Sequence, residues 1–126
     1  MNRLKKRADF LRAQRGVRQV RSAITLEVCL TPPSQPPSQP PTIRMGFTAT
    51  RKLGGAVQRN RAKRRLRAAA QALLPLYGQA GHDYVLVARP GTLTRDYPGL
   101  LDDLKAALSQ AHDRLKDRSG PKDPAS

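Results

Sequence analysis

The stretch AVQRNRAKRRLRAAAQALL, residues 56–74, decides how the chain can fold. It contains neither Gly nor Pro and is followed by Pro75, so it predicts the longest helix of the chain, ending before that proline. At about 100° per residue, one stripe of this helix collects Ala62, Leu66, Ala69 and Leu73. The residues that point mostly the other way are Asn60, Arg61, Arg64, Arg65 and Arg67. The helix is therefore predicted to pack through one face and to present positive charge on the other.

The charge around this helix is not balanced within the sequence. Residues 51–67 contain eight Lys or Arg and no carboxylate, and the formal net charge of the chain is +15. No Asp or Glu occurs between Glu27 and Asp83, whereas nine basic residues do. A merely solvated helix face normally mixes signs to limit repulsion, so the acidic partner is expected to be another molecule. Nucleic acid is the first candidate, an anionic membrane the second and an acidic protein the third.

Strands are predicted on both sides of the basic helix. Residues 84–89 are almost continuously apolar, which is typical of a central strand covered on both faces. Apolar residues alternate with others along residues 23–30, which predicts a strand with one buried face and a hairpin-like return into a second strand at 42–50. Because a helix connects the strands at 42–50 and 84–89, the order favours parallel pairing of those two.

Shorter helical patterns flank this strand-helix-strand unit. Residues 5–16, KKRADFLRAQRG, predict a short helix with Ala8, Leu11 and the nearby Phe10 on its packed side. Residues 92–116 predict a C-terminal helix with Pro98 in its first turn. Its expected packed residues are Leu100 or Leu101, Leu104, Leu108, Ala111 and Leu115. The predicted fold class is α+β, a small mixed sheet of three to four strands covered by the basic helix and by N- and C-terminal helices.

The length and the tails set the domain organisation. A chain of 126 residues is expected to form a single domain, here over residues 1–116. The segment TPPSQPPSQPP, residues 31–41, holds six prolines and no glycine, which predicts an extended polyproline linker inside that domain. Residues 117–126 are predicted to be a disordered tail.

The sequence lacks the residues that several classes of function require. No apolar run approaches the roughly 18 residues of a membrane span, and no apolar segment follows the basic N-terminus, so a cytoplasmic protein is expected. Cys29 is the only cysteine, which excludes an internal disulfide. The carboxylates near apolar segments are Asp83, Asp96, Asp102 and Asp103. The last two are expected to be solvated charges, and the four do not have the convergent pattern of a two-metal nuclease. His82 and His112 lack zinc-site spacing, so no catalytic and no metal-binding residue is predicted.

Phosphate chemistry is what the basic segment offers. Gly54 and Gly55 precede the predicted helix, whose positive end leaves N–H groups free for a phosphate. Arginine predominates over lysine, and guanidinium groups give forked donors to phosphate and stack on unpaired bases. The residues themselves therefore favour an RNA-binding protein, with a basic ribosomal or other structural RNA-binding protein as one alternative and a DNA-binding or membrane-surface protein as another.

The stretch MGFTATRKLGGAVQRNRAKRRLR, residues 45–67, resembles the signature region of the bacterial ribonuclease P protein component. Arg59, Asn60 and Arg61 match the Arg-Asn-Arg run of that family, and Lys63, Arg64, Arg65 and Arg67 match its continuation. The residues ADF at 8–10 resemble the family's N-terminal helix, and HDYVLVARP at 82–90 resembles its last strand. The resemblance covers about residues 3–116.

This resemblance implies the protein subunit of a ribonucleoprotein that removes the 5′ leader from precursor tRNA. The RNA subunit would perform the Mg²⁺-dependent hydrolysis, and the protein alone would bind no cofactor. The basic-helix residues implied to contact that RNA are Arg59, Asn60, Arg61, Lys63, Arg64, Arg65 and Arg67. Phe10, Arg51 and Lys52 are implied to bind the leader in a cleft between the first helix and the sheet. Membranes and DNA are not expected partners, and the crossover through the basic helix is implied to be left-handed.

Two departures from the family pattern bear on these expectations. Gln14 stands one helical turn after Phe10, where the family often has a second aromatic residue, so stacking on the leader is expected to be weaker or differently arranged. Ala62 and Ala70 stand where bulkier apolar residues are common, which affects the expected packing distances of the helix.

Overall fold

The computed structural model describes residues 2–32 and 42–119, with side chains as far as residue 116. The strands are β1 (Asn2–Arg3), β2 (Val17–Val20), β3 (Ile24–Leu30), β4 (Arg44–Thr48) and β5 (His82–Ala88). The helices are α1 (Arg7–Gln14), α2 (Ala56–Tyr77), α3 (Pro90–Thr94) and α4 (Tyr97–Ser119), and a 3-10 turn (Arg51–Leu53) precedes α2. The predicted α+β class, with a mixed sheet and long helices, is confirmed.

The sheet has the strand order β1-β4-β5-β3-β2. β5 is central and parallel to β4, as its apolar sequence and the helical connection predicted, and it also pairs antiparallel with β3. The expected number of three to four strands is wrong, because β1 and β2 add a short strand at each edge of a five-stranded sheet. Segments of two and four residues are too short to show an alternating pattern.

The predicted hairpin-like return from β3 into β4 is also wrong. β5 lies between these two strands and pairs with both of them. β3 and β4 therefore run in opposite directions but do not pair with each other. A strand that is apolar on both faces is most stable in the middle of a sheet, where both faces are covered. In that position β5 separates β3 and β4, which precede it in sequence.

The main core lies between one face of the sheet and the helices α2 and α4. It takes alternate residues from the strands, together with apolar residues from the two helices. Its largest fully buried side chains include Ile24, Leu26, Leu66, Leu74, Tyr84, Leu86, Leu100, Leu104 and Leu108. Leu74, rather than the predicted Leu73, is the fully buried member of that pair in α2, and Leu73 is only partly buried. Leu100, rather than Leu101, is the fully buried member of its pair in α4.

Two helix boundaries differ from the predictions. Pro75 does not end α2, which continues to Tyr77, where the Gly78 N–H donates to the Leu74 carbonyl. A proline this close to a helix end removes a single hydrogen bond, so the last turn survives. α4 runs to Ser119, so residues 117–119 of the predicted disordered tail are helical. The rest of that tail, and residues 33–41 of the proline-rich linker, lie outside the described residues.

α1 covers the opposite face of the sheet, and this makes β3 buried on both faces rather than on one. A second small core there contains Leu4, Ala13, Cys29 and Val85. Burial raises the pKa of the Cys29 thiol to about 11, so at neutral pH it packs as a small apolar group. The predicted packed side of α1 is confirmed for Phe10, which packs against this second core, but it is wrong for Ala8 and Leu11, which are exposed. Asp9 and Ala13 are buried instead.

Candidate nucleic-acid interface

Asn60 and the basic residues of α2 divide into an exposed and a partly buried group. Asn60, Arg61 and Arg64 are exposed, and we call these three the exposed basic face. The partly buried members are Arg59, Lys63, Arg65 and Arg67. In the described parts of the chain, every ion pair joins a carboxylate to Arg12, Arg18 or Arg44, and none involves α2. The exposed basic face therefore keeps its positive charge unneutralised by the chain's own carboxylates.

Two of the partly buried arginines bind backbone carbonyls of the protein itself. Arg59 Nη1 donates to the carbonyl of Gly54 at 3.0 Å, and Arg65 Nη1 donates to the carbonyl of Thr92 at 2.7 Å. The first bond ties α2 to the turn before it, and the second ties α2 to α3. We call Arg59 and Arg65 the anchored arginines. Periodicity placed Arg65 with the outward residues, because a sequence pattern does not show which carbonyls a neighbouring helix will bring close.

A cleft lies on the other face of the sheet, between α1 and the strands. Its volume is about 460 Å³. Its lining consists of Phe10, Gln14, Arg18, Glu27, Thr48, Thr50, Val85 and Val87. The strand residues in this set alternate with main-core residues such as Leu26 and Leu86, so the cleft and the core occupy opposite faces. Arg51 and Lys52 are exposed and directly follow Thr50 at the rim of the cleft.

Phe10 lies directly on Gly46 of β4. A Cβ atom added at Gly46 would come within 2.6 Å of Phe10 Cε1, so a glycine is what allows the ring this close to the sheet. The ring then contributes to the cleft wall. The sequence interpretation identified Phe10 but missed this contact, although a glycine inside a strand pattern signals a close approach of another group.

An ion-pair network fixes α1 over the sheet beside the cleft. Asp83 is fully buried and accepts two hydrogen bonds from Arg44, at 2.8 and 2.7 Å, and one from Thr31 at 2.6 Å. Asp9 accepts from Arg12 at 2.9 Å and lies 3.2 Å from Arg44. Burial by itself would raise the pKa of Asp9, but Arg12 and Arg44 lower it overall. These contacts explain why a charged residue, and not Ala8 or Leu11, faces inward from α1.

Asp103 and His112 also have structural partners. Asp103, expected to be a solvated charge, is buried and accepts from the Ser22 hydroxyl at 3.1 Å and the Ala23 N–H at 3.0 Å. Tyr84 Oη and His112 Nε2 are 2.7 Å apart and connect β5 to α4. Within residues 2–32 and 42–119, no group of three or more His, Cys, Asp or Glu side chains could hold a metal ion.

Glu27 is the carboxylate of the cleft lining, and the sequence interpretation did not single it out. It lies near the middle of β3 and is only 5% exposed. Burial raises the pKa of its carboxyl group, and the nearby Arg18 partly opposes that rise. Arg18 Nε is 3.8 Å from Glu27 Oε2, which is longer than a hydrogen bond. Placing Glu27 inside a site required the position of α1, which alternation along one strand does not reveal.

Comparisons with known proteins identify relatives over most of the chain. Residues 1–112 match the sequence model of the family described as Ribonuclease P. The ribonuclease P protein component of Caulobacter vibrioides (strain NA1000 / CB15N) is 50% identical over 120 residues, which cover 95% of this chain and 76% of that protein. The ribonuclease P protein component of Ruegeria pomeroyi is 46% identical over 110 residues, covering 86% of this chain and 85% of that protein.

The fold also has a counterpart among solved structures. The RNase P protein from Thermotoga maritima superimposes with a TM-score of 0.70 at 23% sequence identity, over 87% of this chain and 97% of that one. Across the described ranges, none of the helices has the length and apolar character needed to span a membrane.

Proposed function

We propose, because this chain belongs to the ribonuclease P protein family, that it binds the catalytic RNA subunit through the basic side of α2 and the 5′ leader of precursor tRNA in the cleft under α1. The observation that carries this proposal is the separation of the two surfaces by the sheet. One surface is a helix face with unneutralised arginines, and the other is an aromatic-walled cleft. Two RNA molecules can then be held at once without competing for the same residues.

The exposed basic face suits the backbone of a folded RNA. Arg61 and Arg64 are one turn apart on α2 and free to give forked hydrogen bonds to successive phosphate oxygens, and Asn60 adds a neutral donor beside them. If about four phosphates are neutralised along the helix, log K for the RNA falls by roughly three units per tenfold increase in salt. The anchored arginines contribute by fixing the helix, and their remaining N–H groups add to the positive field.

The cleft suits a single-stranded segment. Its volume is in the range of sites that enclose small ligands, and the Phe10 ring gives a surface on which an unpaired base can stack. Thr48 and Thr50 supply hydroxyl groups along the wall, and Arg51 and Lys52 stand where the phosphates of an emerging strand would pass. Gln14 lines the cleft one turn after Phe10, so the stacking surface has one aromatic side chain at this end of α1 instead of two.

Hydrolysis is assigned in this proposal to the RNA subunit and the Mg²⁺ ions that it holds. The protein's buried aspartates are already bonded to its own arginines, hydroxyls and N–H groups, so they are not available as a converging metal site. The protein would raise the affinity for precursor tRNA and lower the Mg²⁺ concentration needed for cleavage. We place this activity in the cytoplasm, as expected for tRNA maturation in bacteria.

Reconstitution with the cognate RNA tests the proposal. Adding the protein should allow cleavage of precursor tRNA at low Mg²⁺, and the protein alone should cleave nothing. Joint substitution of Arg59, Arg61 and Arg65 by Ala should chiefly weaken assembly with the RNA subunit. Phe10→Ala should chiefly weaken binding of precursor tRNA relative to mature tRNA, by roughly tenfold if one stacked base is lost. Cleavage by the RNA-free protein, or unchanged assembly of the triple variant, would contradict the proposal.

A further inference from the structure

Glu27 differs from the other buried carboxylates of the described chain. Asp9, Asp83 and Asp103 each accept at least one hydrogen bond from a protein donor. Glu27 is buried to a similar degree, yet within the described residues its only polar contact is the 3.8 Å approach of Arg18. Its carboxylate oxygens are not fully enclosed, because among the described residues the only fully buried side-chain N and O atoms without a hydrogen-bond partner are Arg67 Nε and Arg89 Nε. They therefore reach the solvent of the cleft without a hydrogen-bond partner from the described chain.

Arg18 does not supply such a partner. Its side chain is 60% exposed and lies on the edge strand β2, and its 3.8 Å distance from Glu27 is too long for a hydrogen bond. Keeping the Glu27 carboxylate in this place therefore opposes folding at neutral pH. The unused acceptor oxygens line the cleft, which makes a donor from a bound molecule their natural partner.

A row of paired residues across the sheet shows what that molecule would meet. Glu27 pairs with Arg18 on one side and with Val85 on the other, and Val85 pairs with Gly46 beneath the Phe10 ring. Glu27 and Gly46 are thus two strand spacings apart, or about 10 Å. Val85 leaves an apolar floor between the stacking ring and the carboxylate.

We propose that Glu27 reads a base of the leader, its carboxylate accepting a hydrogen bond from an exocyclic amino group. This inference rests on the leader-binding role proposed above for the cleft. Cytosine, adenine and guanine each present an amino group on the pairing edge, whereas uracil presents two carbonyl oxygens beside a single N–H. Uracil can offer the carboxylate only its N3–H, which is flanked on both sides by carbonyl oxygens that repel the carboxylate. The cleft is expected to disfavour uracil at the one leader position that lies over Val85, by roughly tenfold in affinity.

The test uses the reconstituted holoenzyme and precursor tRNAs that differ at one leader nucleotide. Each leader position in turn carries cytosine or uracil, and the dissociation constant is measured. At one position the wild-type enzyme should bind the uracil substrate about tenfold more weakly. With Glu27→Gln, whose amide can donate as well as accept, the two substrates should agree within about twofold. Glu27→Leu, which removes both oxygens, serves as a second variant and should also abolish the difference.

Two controls separate this inference from the leader-binding role itself. Assembly of Glu27→Gln with the RNA subunit should match wild type, since Glu27 lies on the opposite side of the sheet from α2. Phe10→Ala should weaken binding of all leaders. If Phe10→Ala leaves leader binding unchanged, the role of the cleft is wrong. Suppose instead that Phe10→Ala weakens binding of every leader. If the wild type then shows no uracil penalty, or if both Glu27 variants keep that penalty, base recognition by Glu27 is overturned while the leader-binding role of the cleft stands.

Discussion

The exposed basic face of α2 and the cleft under α1 are both proposed to bind RNA, but they are built in opposite ways. The face comes from neighbouring residues of one helix, and its property is the sum of several like charges. The cleft draws its lining from α1 and four strands, and single residues decide its shape and chemistry. RNA binding by the exposed basic face should therefore weaken gradually as charged residues are replaced. Binding in the cleft should instead be lost through substitutions at particular positions such as Gly46.

Removing charge from the exposed basic face should give the largest effect. We expect Arg61→Ala with Arg64→Ala to weaken binding of the RNA subunit by about 10- to 100-fold, because two sets of phosphate contacts are lost. The slope of log K against log salt should fall in magnitude by roughly 1.5. Filter binding at several salt concentrations measures both quantities.

A matched pair of substitutions elsewhere tests whether position matters as well as charge. Lys105→Ala with Lys116→Ala removes the same formal charge from exposed positions of α4. This control should leave the salt slope close to that of wild type. An equal loss of affinity in the control would mean that net charge, and not the face of α2, governs assembly.

Gly46→Ala should damage the cleft without touching the basic face. The new methyl group would meet the Phe10 ring at 2.6 Å, so the ring must move off the sheet. We expect precursor tRNA to bind about tenfold more weakly relative to mature tRNA, and the free energy of unfolding to fall by about 1–3 kcal/mol. Binding of the RNA subunit should be unchanged.

Gly55→Ala is the matched glycine control. A Cβ atom there would come within 3.3 Å only of the flexible Gln58 side chain, and the backbone φ of −77° suits alanine. Leader affinity and stability should stay near wild type. If both alanine variants weakened leader binding equally, the Phe10–Gly46 contact would not be what shapes the cleft.

The same contrast explains how far the sequence could be interpreted. Periodicity over residues 56–74 predicted the helix and its charged face, since both depend on residues a few positions apart. The central place of β5 followed from its continuous apolar run. The Phe10–Gly46 contact joins residues far apart in sequence, and so does the burial of Asp103 against Ala23; neither follows from a local pattern. Glu27 was missed because its site exists only once α1 covers β3.

Substitutions of an anchored and of an exposed arginine of α2 remove the same charge, but they should differ in their effect on the stability of the protein. Arg65→Ala removes the bond to the Thr92 carbonyl, and we expect the free energy of unfolding to fall by about 1 kcal/mol. Arg64→Ala, one residue earlier and exposed, should change it by less than about 0.5 kcal/mol. Urea unfolding of the two variants without RNA provides the comparison. Equal stabilities would remove the distinction between the two groups and return Arg65 to the RNA-binding set alone.

The smallest expected effect is the change that Glu27 causes in the free energy of unfolding as the pH changes. Burial raises the pKa of Glu27 above its unfolded value near 4.5, so the folded state binds more protons than the unfolded state between the two values. The contribution of Glu27 to stability is therefore fully present below pH 4.5 and is lost as the pH rises through its folded-state pKa. Glu27→Gln removes this loss, so its stability relative to wild type should increase from about pH 4 upward and then level off. A difference that is flat across this range would mean that Arg18 already compensates the charged carboxylate, so that burial in the cleft does not penalise it.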